Sequence, residues 1–248
     1  MSSPIDVKVG YYPESDGKPM GETDVHRDEM VRHIELLKQY YADQKVYVSG
    51  DLLVYYEQGN PKKFVVPDLF VAIGVSPRQR RIYKIWEERH VPDVIIETTS
   101  RKTKKKDQFD KPALYCQLGV KEYFLFDPLG EYLDPNLQGY RLVDGRMSAI
   151  TPEAKDSSLV SEVLGLRLQA YDLALQFYRV DNGLRLLTSE EQVREQRIAL
   201  RQETAARERE SIARERESIA RERESIARQA AEAEVLKLRA QLANRKQT

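Results

Sequence analysis

Apolar and polar positions change their period several times along the chain, and each change marks an element. Over "TDVHRDEMVRHIELLKQYYADQ", Val25, Met30, Ile34, Leu37 and Tyr41 recur at helical spacing, and Thr23 or Asp24 is placed to cap the helix. "KVYVSGDLLVYY" reads as one strand, or as two short strands bent at Ser49–Gly50. "KKFVVPDLFVAIG" reads as a further strand. Its internal proline has no N–H for a ladder and so marks an edge, a bend or a bulge. "RQRRIYKIWEERH" fits a strand or a short helix equally well. In "VPDVIIETTS" the unbroken run Val94, Ile95, Ile96 is that of a strand buried on both faces. "KKDQFDKPALYCQLG" follows as a helix with Pro112 in or near its first turn and Gly119 at its end. "VKEYFLFDP" is the next strand. Strand, helix, strand in that order predicts a crossover unit in a mixed sheet.

Residues 129 to 188 read as strands and turns, with Asp144–Gly145 and Asn182–Gly183 as tight-turn pairs. Residues 1 to 22 carry Gly, Pro, Ser and charge and read as an extended, poorly ordered arm. The expected organisation is therefore this arm, a globular domain over 23–188, and a distinct segment over 189–248.

That last segment has no Pro or Gly and repeats "SIARERE" at a seven-residue period. Ile198, Ala205, Ile212, Ile219, Ile226, Ala233 and Ala240 share one heptad position. Their partner position three or four residues on is mostly Glu or Arg, so the apolar stripe is narrower than a coiled coil wants. Glu203–Arg207, Glu210–Arg214, Glu217–Arg221 and Glu224–Arg228 are spaced four apart in the favourable order, each pair contributing roughly 0.2–0.5 kcal/mol. One long helix is predicted. Two uses stay open for it: a coiled-coil oligomeriser, or a solvated spacer.

Composition narrows the class only a little. The 248 residues carry 40 basic and 40 acidic side chains, so total charge argues neither for nor against nucleic acid. A single cysteine, Cys116, rules out an internal disulfide and fits a reducing cytoplasm. The start "MSSPIDVKVG" has no apolar core of a secretory signal, and no window approaches a membrane span.

Chemistry concentrates between residues 68 and 111. Asp68 sits inside an apolar run, where an unpaired carboxylate costs several kcal/mol. Glu97 ends the apolar strand. Each has a plain reading alone, as a turn residue or a solvated strand end, and Lys111 alone is a surface lysine. Together they fit another reading. Two carboxylates at strand positions share a divalent cation in the manner usual for Mg²⁺, and a nearby ammonium stabilises charge developing on a phosphate. The burst Arg101, Lys102, Lys104, Lys105 and Lys106 follows the second acid at once. From Arg78 to Lys106 there are ten basic and four acidic residues, a patch able to hold a phosphate backbone. The alternative for the lysine run is a solvated loop.

These motifs carry a resemblance. "VPDLFV", "IWEERHVPDVIIETTS", "DQFDKPALYCQLGVKEYFLFDP" and "LGLRL" agree in order and spacing with the Uma-two family of restriction endonucleases, abundant in cyanobacteria and part of the PD-(D/E)XK nuclease superfamily. The likeness spans about residues 23–188, and His26 to Leu37 also resembles the family's first helix. It implies an α/β (α+β) restriction-endonuclease-like fold, a mixed β-sheet flanked by helices, here with a long C-terminal helix or coiled coil. It implies Mg²⁺, with Mn²⁺ as a substitute, held by Asp68, Glu97 and the Thr98 carbonyl. It implies DNA as partner, in-line attack on phosphorus and a 5′-phosphate product. The superfamily lysine belongs two residues after the second acid, where this chain has Thr99. The resemblance places it instead at Lys111, with Asp107 able to orient it. Glu122 and Asp127 match the family's pattern and read as structural. Glu57 reads as a turn residue, Trp86 as a core or platform residue, and Tyr115 as a packing residue that also covers the site.

Double-strand cleavage requires two sites, which points to a homodimer or higher oligomer, with the C-terminal helix as one candidate interface. The competing reading, motivated by Thr99 and the charged helix, is a catalytically inactive nuclease fold that binds nucleic acid or a partner.

Overall fold

The computed structural model describes residues 11–15, 24–99 and 110–245. The chain divides into two compact units, Met1–Thr188 and Ser189–Thr248. The arm expected over 1–22 lies outside the described residues except for 11–15. So do Arg101, Lys102, Lys104, Lys105, Lys106 and Asp107.

The first unit opens with α1 (Asp24–Tyr40), then β1 (Val46–Ser49), β2 (Val54–Tyr55), β3 (Phe64–Val65) and β4 (Leu69–Ile73). Both apolar runs split in two, the second against the single strand expected of it, because Pro67 interrupts the ladder. "KVYVSGDLLVYY" divides at the expected Ser49–Gly50 bend, and "KKFVVPDLFVAIG" divides at Pro67. In each case the halves join different sheets: β1 and β4 enter the central sheet, β2 and β3 a small one. Pro67 still serves as an acceptor, its carbonyl taking the Asp51 N–H at 2.9 Å. "RIYKIWEE" resolves as β5 (Tyr83–Lys84) running into a four-residue helix α2 (Ile85–Glu88).

The crossover follows as β6 (Val94–Thr98), α3 (Lys111–Leu118) and β7 (Glu122–Phe126). All five residues of β6 and of β7 are buried, and the two strands pair in parallel, as a helical connection requires. Pro112 lies in the first turn of α3, and Gly119 ends it at φ 86°, a left-handed conformation that favours glycine. The chain then meanders through β8 (Leu137–Val143), β9 (Arg146–Ala149), β10 (Leu159–Ser161), β11 (Leu166–Tyr171) and β12 (Ala174–Arg179). The β8–β9 turn is Asp144–Gly145, both with positive φ, as that pair predicts.

The central sheet has the order β1-β4-β6-β7-β8-β9 and is antiparallel except at β6–β7. It is a mixed sheet covered on both faces. On one face Val94, Ile96, Phe124 and Phe126 pack with Leu36 and Leu37 of α1 and with Leu166, Leu168, Leu175 and Phe177 of the antiparallel sheet β10-β11-β12. On the other, Ile95, Tyr123 and Leu125 pack with Tyr115 of α3 and with Val54 and Tyr83 of the small sheet β3-β2-β5. The alternation assigns Glu97, two residues beyond Ile95, to the α3 face.

Two buried carboxylates read as structural have such partners. Glu122 bonds Arg141, the Ser161 hydroxyl and the Glu162 N–H. Asp127 takes the N–H groups of Leu129, Tyr132 and Leu133, closing the loop after β7. Glu57 bonds Asn60 in its own turn.

The second unit is one helix, α4 (Ser189–Arg245), of 57 residues, about 85 Å long at 1.5 Å per residue. Glu203–Arg207, Glu210–Arg214 and Glu217–Arg221 close at 2.5–2.6 Å. The fourth expected pair does not form among the described contacts. Arg228 turns forward to Glu232 at 3.0 Å instead of back to Glu224. No helix among the described residues is long and apolar enough to cross a membrane.

Candidate active site

The β4–β6 register builds the centre of the site. Leu69 stands opposite Ile96, so one residue further along the antiparallel ladder Asp68 comes opposite Glu97. Asp68 N–H donates to Glu97 Oε2 at 3.3 Å, and Thr98 N–H donates to Asp68 Oδ2 at 2.7 Å. Each strand thereby holds the other's carboxylate. Gly50 makes room for this: a Cβ there would lie 2.0 Å from the Asp68 carbonyl oxygen. The chain contains two "VPD" tripeptides. Only the first meets Glu97. The second places Asp93 at the opposite end of β6, bonded to Ile73 N–H, His90 and Lys121.

From the α3 layer, the helix reaches Glu97 twice. Lys111 Nζ lies 2.8 Å from Glu97 Oε1, and Tyr115 Oη donates to the same oxygen at 3.0 Å. Lys111 and Tyr115 are four apart and so share a helix face. The Glu97 side chain is 1% exposed, and a buried carboxylate without partners would be strongly unfavourable. The ammonium and the phenol hold its charge in place. Fourteen residues separate Lys111 from Glu97 in sequence, and the crossover brings them into contact. Thr99, the residue after β6 and two past Glu97, is buried. Its hydroxyl has no hydrogen-bond partner among the described residues.

From the α1 layer comes a residue that the sequence reading did not single out. His26, 5% exposed, places Nε2 3.1 Å from Asp68 Oδ2. The separation is that of an ion pair, and the angles are not those of an aligned hydrogen bond. The sequence signals were the likeness of His26 to Leu37 to the family's first helix and a histidine on the apolar face of a helix, which alone is no more than a satisfied core position usually shows.

The carboxylate pair fits a hard divalent cation. The Asp68 side chain is 17% exposed, its described contacts all fall on Oδ2, and Oδ1 is left to accept. One or two carboxylates with water completing the shell is the usual Mg²⁺ arrangement. Among the described residues no group of three or more His, Cys, Asp or Glu side chains is placed to hold a metal. The structure thus brings Asp68, Glu97, Thr98 and Lys111 together. The five basic residues expected to hold phosphate fall outside the described residues.

The Uma2 family model, described as "Putative restriction endonuclease", matches residues 15–176 of the 248. Among solved structures, that of "a putative nuclease belonging to DUF820 from Anabaena variabilis ATCC 29413" is similar at a TM-score of 0.46. It has 18% identity, over 63% of this chain and 83% of that one. No curated protein matches.

Proposed function

The chain belongs to the Uma2 family of "putative restriction endonucleases", and on that premise we propose that it is a Mg²⁺-dependent DNA endonuclease working through Asp68, Glu97 and Lys111. The observation that carries this reading is the convergence of all three on one sheet end, with Lys111 Nζ 2.8 Å from a Glu97 that is itself held against Asp68.

Asp68 Oδ1, Glu97 and the Thr98 carbonyl would hold the cation. When bound, it supplies Lewis acidity toward a phosphate oxygen and lowers the pKa of a water molecule. This chain's own residues do the rest. The strand-to-strand hydrogen bonds bring both carboxylates to one sheet end before substrate arrives, so little reorganisation is needed at the moment of reaction. Lys111, anchored at Glu97 and partly open to solvent, sets a positive charge where the phosphate gains negative charge. Tyr115 keeps Glu97 oriented when the ammonium turns toward substrate. Water attacks phosphorus, the P–O3′ bond breaks, the 3′-oxygen leaves and takes a proton, and a 5′-phosphate results. Arg101, Lys102, Lys104, Lys105 and Lys106 supply the contacts along the phosphate backbone, whose strength falls with salt.

End-labelled duplex DNA tests the reading. Incubation with Mg²⁺ should give fragments whose 5′ ends are phosphorylated and ligatable. EDTA should abolish them. Intact DNA with Mg²⁺ and with Mn²⁺ would leave the inactive, DNA-binding or partner-binding fold as the better account.

A further inference from the structure

Asp68 can serve a cation only if its carboxylate is turned with Oδ1 outward. The Thr98 N–H fixes one side of Oδ2, and a single hydrogen bond leaves a carboxylate free to rotate about it. The second group on that oxygen is His26. Resting on the nuclease reading above, we propose that His26 is the positioning residue of the site: its imidazole holds Asp68 Oδ2 from the α1 layer and so presents Oδ1 to the cation.

The ring is well placed to do this because the helix carrying it is fixed along the same face. His26, Glu29, His33, Leu36 and Leu37 form one buried stripe on α1. Glu29 Oε2 accepts the Leu175 N–H at 2.9 Å and pairs with His33 Nε2 at 3.0 Å, while Arg32 donates to the Leu175 carbonyl at 3.0 Å. Glu29 and Arg32 together therefore grip both backbone groups of one residue of β12. His33 is wedged edge-on between Phe126 and Phe177. These contacts lock α1 against two sheets and aim its first turn at Asp68. His26 is cast as a support because its contact falls on Oδ2 and not on the Oδ1 left for the cation. Groups that orient metal-binding carboxylates and histidines matter nearly as much as the ligands, typically about 10–100-fold in metal affinity or activity.

The test is Mn²⁺ binding by calorimetry on the full chain, with melting temperature and the Mg²⁺ dependence of cleavage measured alongside. His26→Leu fills the space but offers Asp68 no polar atom, and should weaken Mn²⁺ binding and raise the Mg²⁺ midpoint by about 10–100-fold. His26→Gln retains an N–H donor at similar reach and should recover most of the affinity. Should His26→Leu not fold, His26→Asn, polar but too short to reach Oδ2, takes its place. Unchanged Mn²⁺ affinity in a folded Leu or Asn variant would overturn the proposal. So would equal loss in the Gln and Leu variants in step with their melting temperatures, which is the signature of a packing role. A wild-type chain that takes up no Mn²⁺ would show instead that the nuclease reading is wrong, and the role of His26 would fall with it.

Discussion

At the scale of single residues, the site is a set of mutual constraints, and each has a cost when broken. Lys111→Met takes the ammonium from the Glu97 charge, which is 1% exposed, and leaves it among its described contacts the Tyr115 hydroxyl and the Asp68 N–H. Removing one partner of a fully buried pair costs about 3–5 kcal/mol. Lys111 is 19% exposed, so a loss of up to about 3 kcal/mol is expected here. Chemical denaturation should show it, and Glu97→Gln added to Lys111→Met should restore most of the stability without restoring cleavage. Gly50→Ala places a methyl 2.0 Å from the Asp68 carbonyl oxygen. The obstacle is backbone, which cannot swing away. Overpacking of this kind costs about 1–3 kcal/mol, and the displaced Asp68 should also bind Mn²⁺ more weakly than in the wild type. Asp68 and Glu97 were legible in the sequence because a carboxylate inside an apolar strand needs a reason. His26 was not, since its partner lies 42 positions away and a histidine on a helix face carries no mark of what it touches. Gly50 was read only as a bend, and its contact with Asp68 exists only once β1 and β4 pair.

At the scale of elements, the fastening of α1 depends on pH. Burial raises the pKa of Glu29, but the hydrogen bond and charge of His33, the Leu175 N–H and Arg32 outweigh it and bring the net value below the ordinary one of 4.5. A lowered folded pKa contributes stability above the unfolded value and loses it as pH falls through the folded one. The contribution of Glu29 should therefore be present at neutral pH and disappear below about pH 4.5. Asp93, held down by Lys121, His90 and the Ile73 N–H against the effect of its burial, acts in the same direction at the far end of β6. Acid unfolding of Glu29→Gln should start from a lower stability at pH 7 and lose less of it between pH 5 and pH 3 than the wild type, as followed by circular dichroism. If the two curves fall in parallel, Glu29 does not fasten α1. The elements themselves were largely readable. β6, β7, α3 and its Gly119 end follow from an unbroken apolar run, a proline and a glycine. What the period could not give was sheet membership. β2 and β3 each have two residues, too few for alternation to show, and only pairing sends them away from β1 and β4. The β11–β12 hairpin turns at Asp172, at φ 51°, without a glycine beside it to signal the turn.

At the scale of the whole molecule, two units of different character share one chain. The compact unit carries all the proposed chemistry. The helix α4 carries a row of Glu–Arg pairs and exposed Ile198, Ile212, Ile219 and Ile226. Sedimentation of the full chain and of residues 1–188 separates the two uses left open for α4: a dimer or larger species for the full chain alone makes it an oligomeriser, and two monomers make it a spacer. The central claim concerns the compact unit alone: one site, made of Asp68, Glu97 and a lysine delivered by α3 instead of the strand. Initial rates of supercoiled-plasmid nicking test it most directly, for the wild type with Mg²⁺ or EDTA and for Asp68→Asn, Glu97→Gln and Lys111→Met with Mg²⁺. The account predicts nicking by the wild type that EDTA stops and that each substitution reduces by about 100-fold or more. Nicking by Lys111→Met at the wild-type rate, or no nicking by the wild type with any divalent cation, would contradict it.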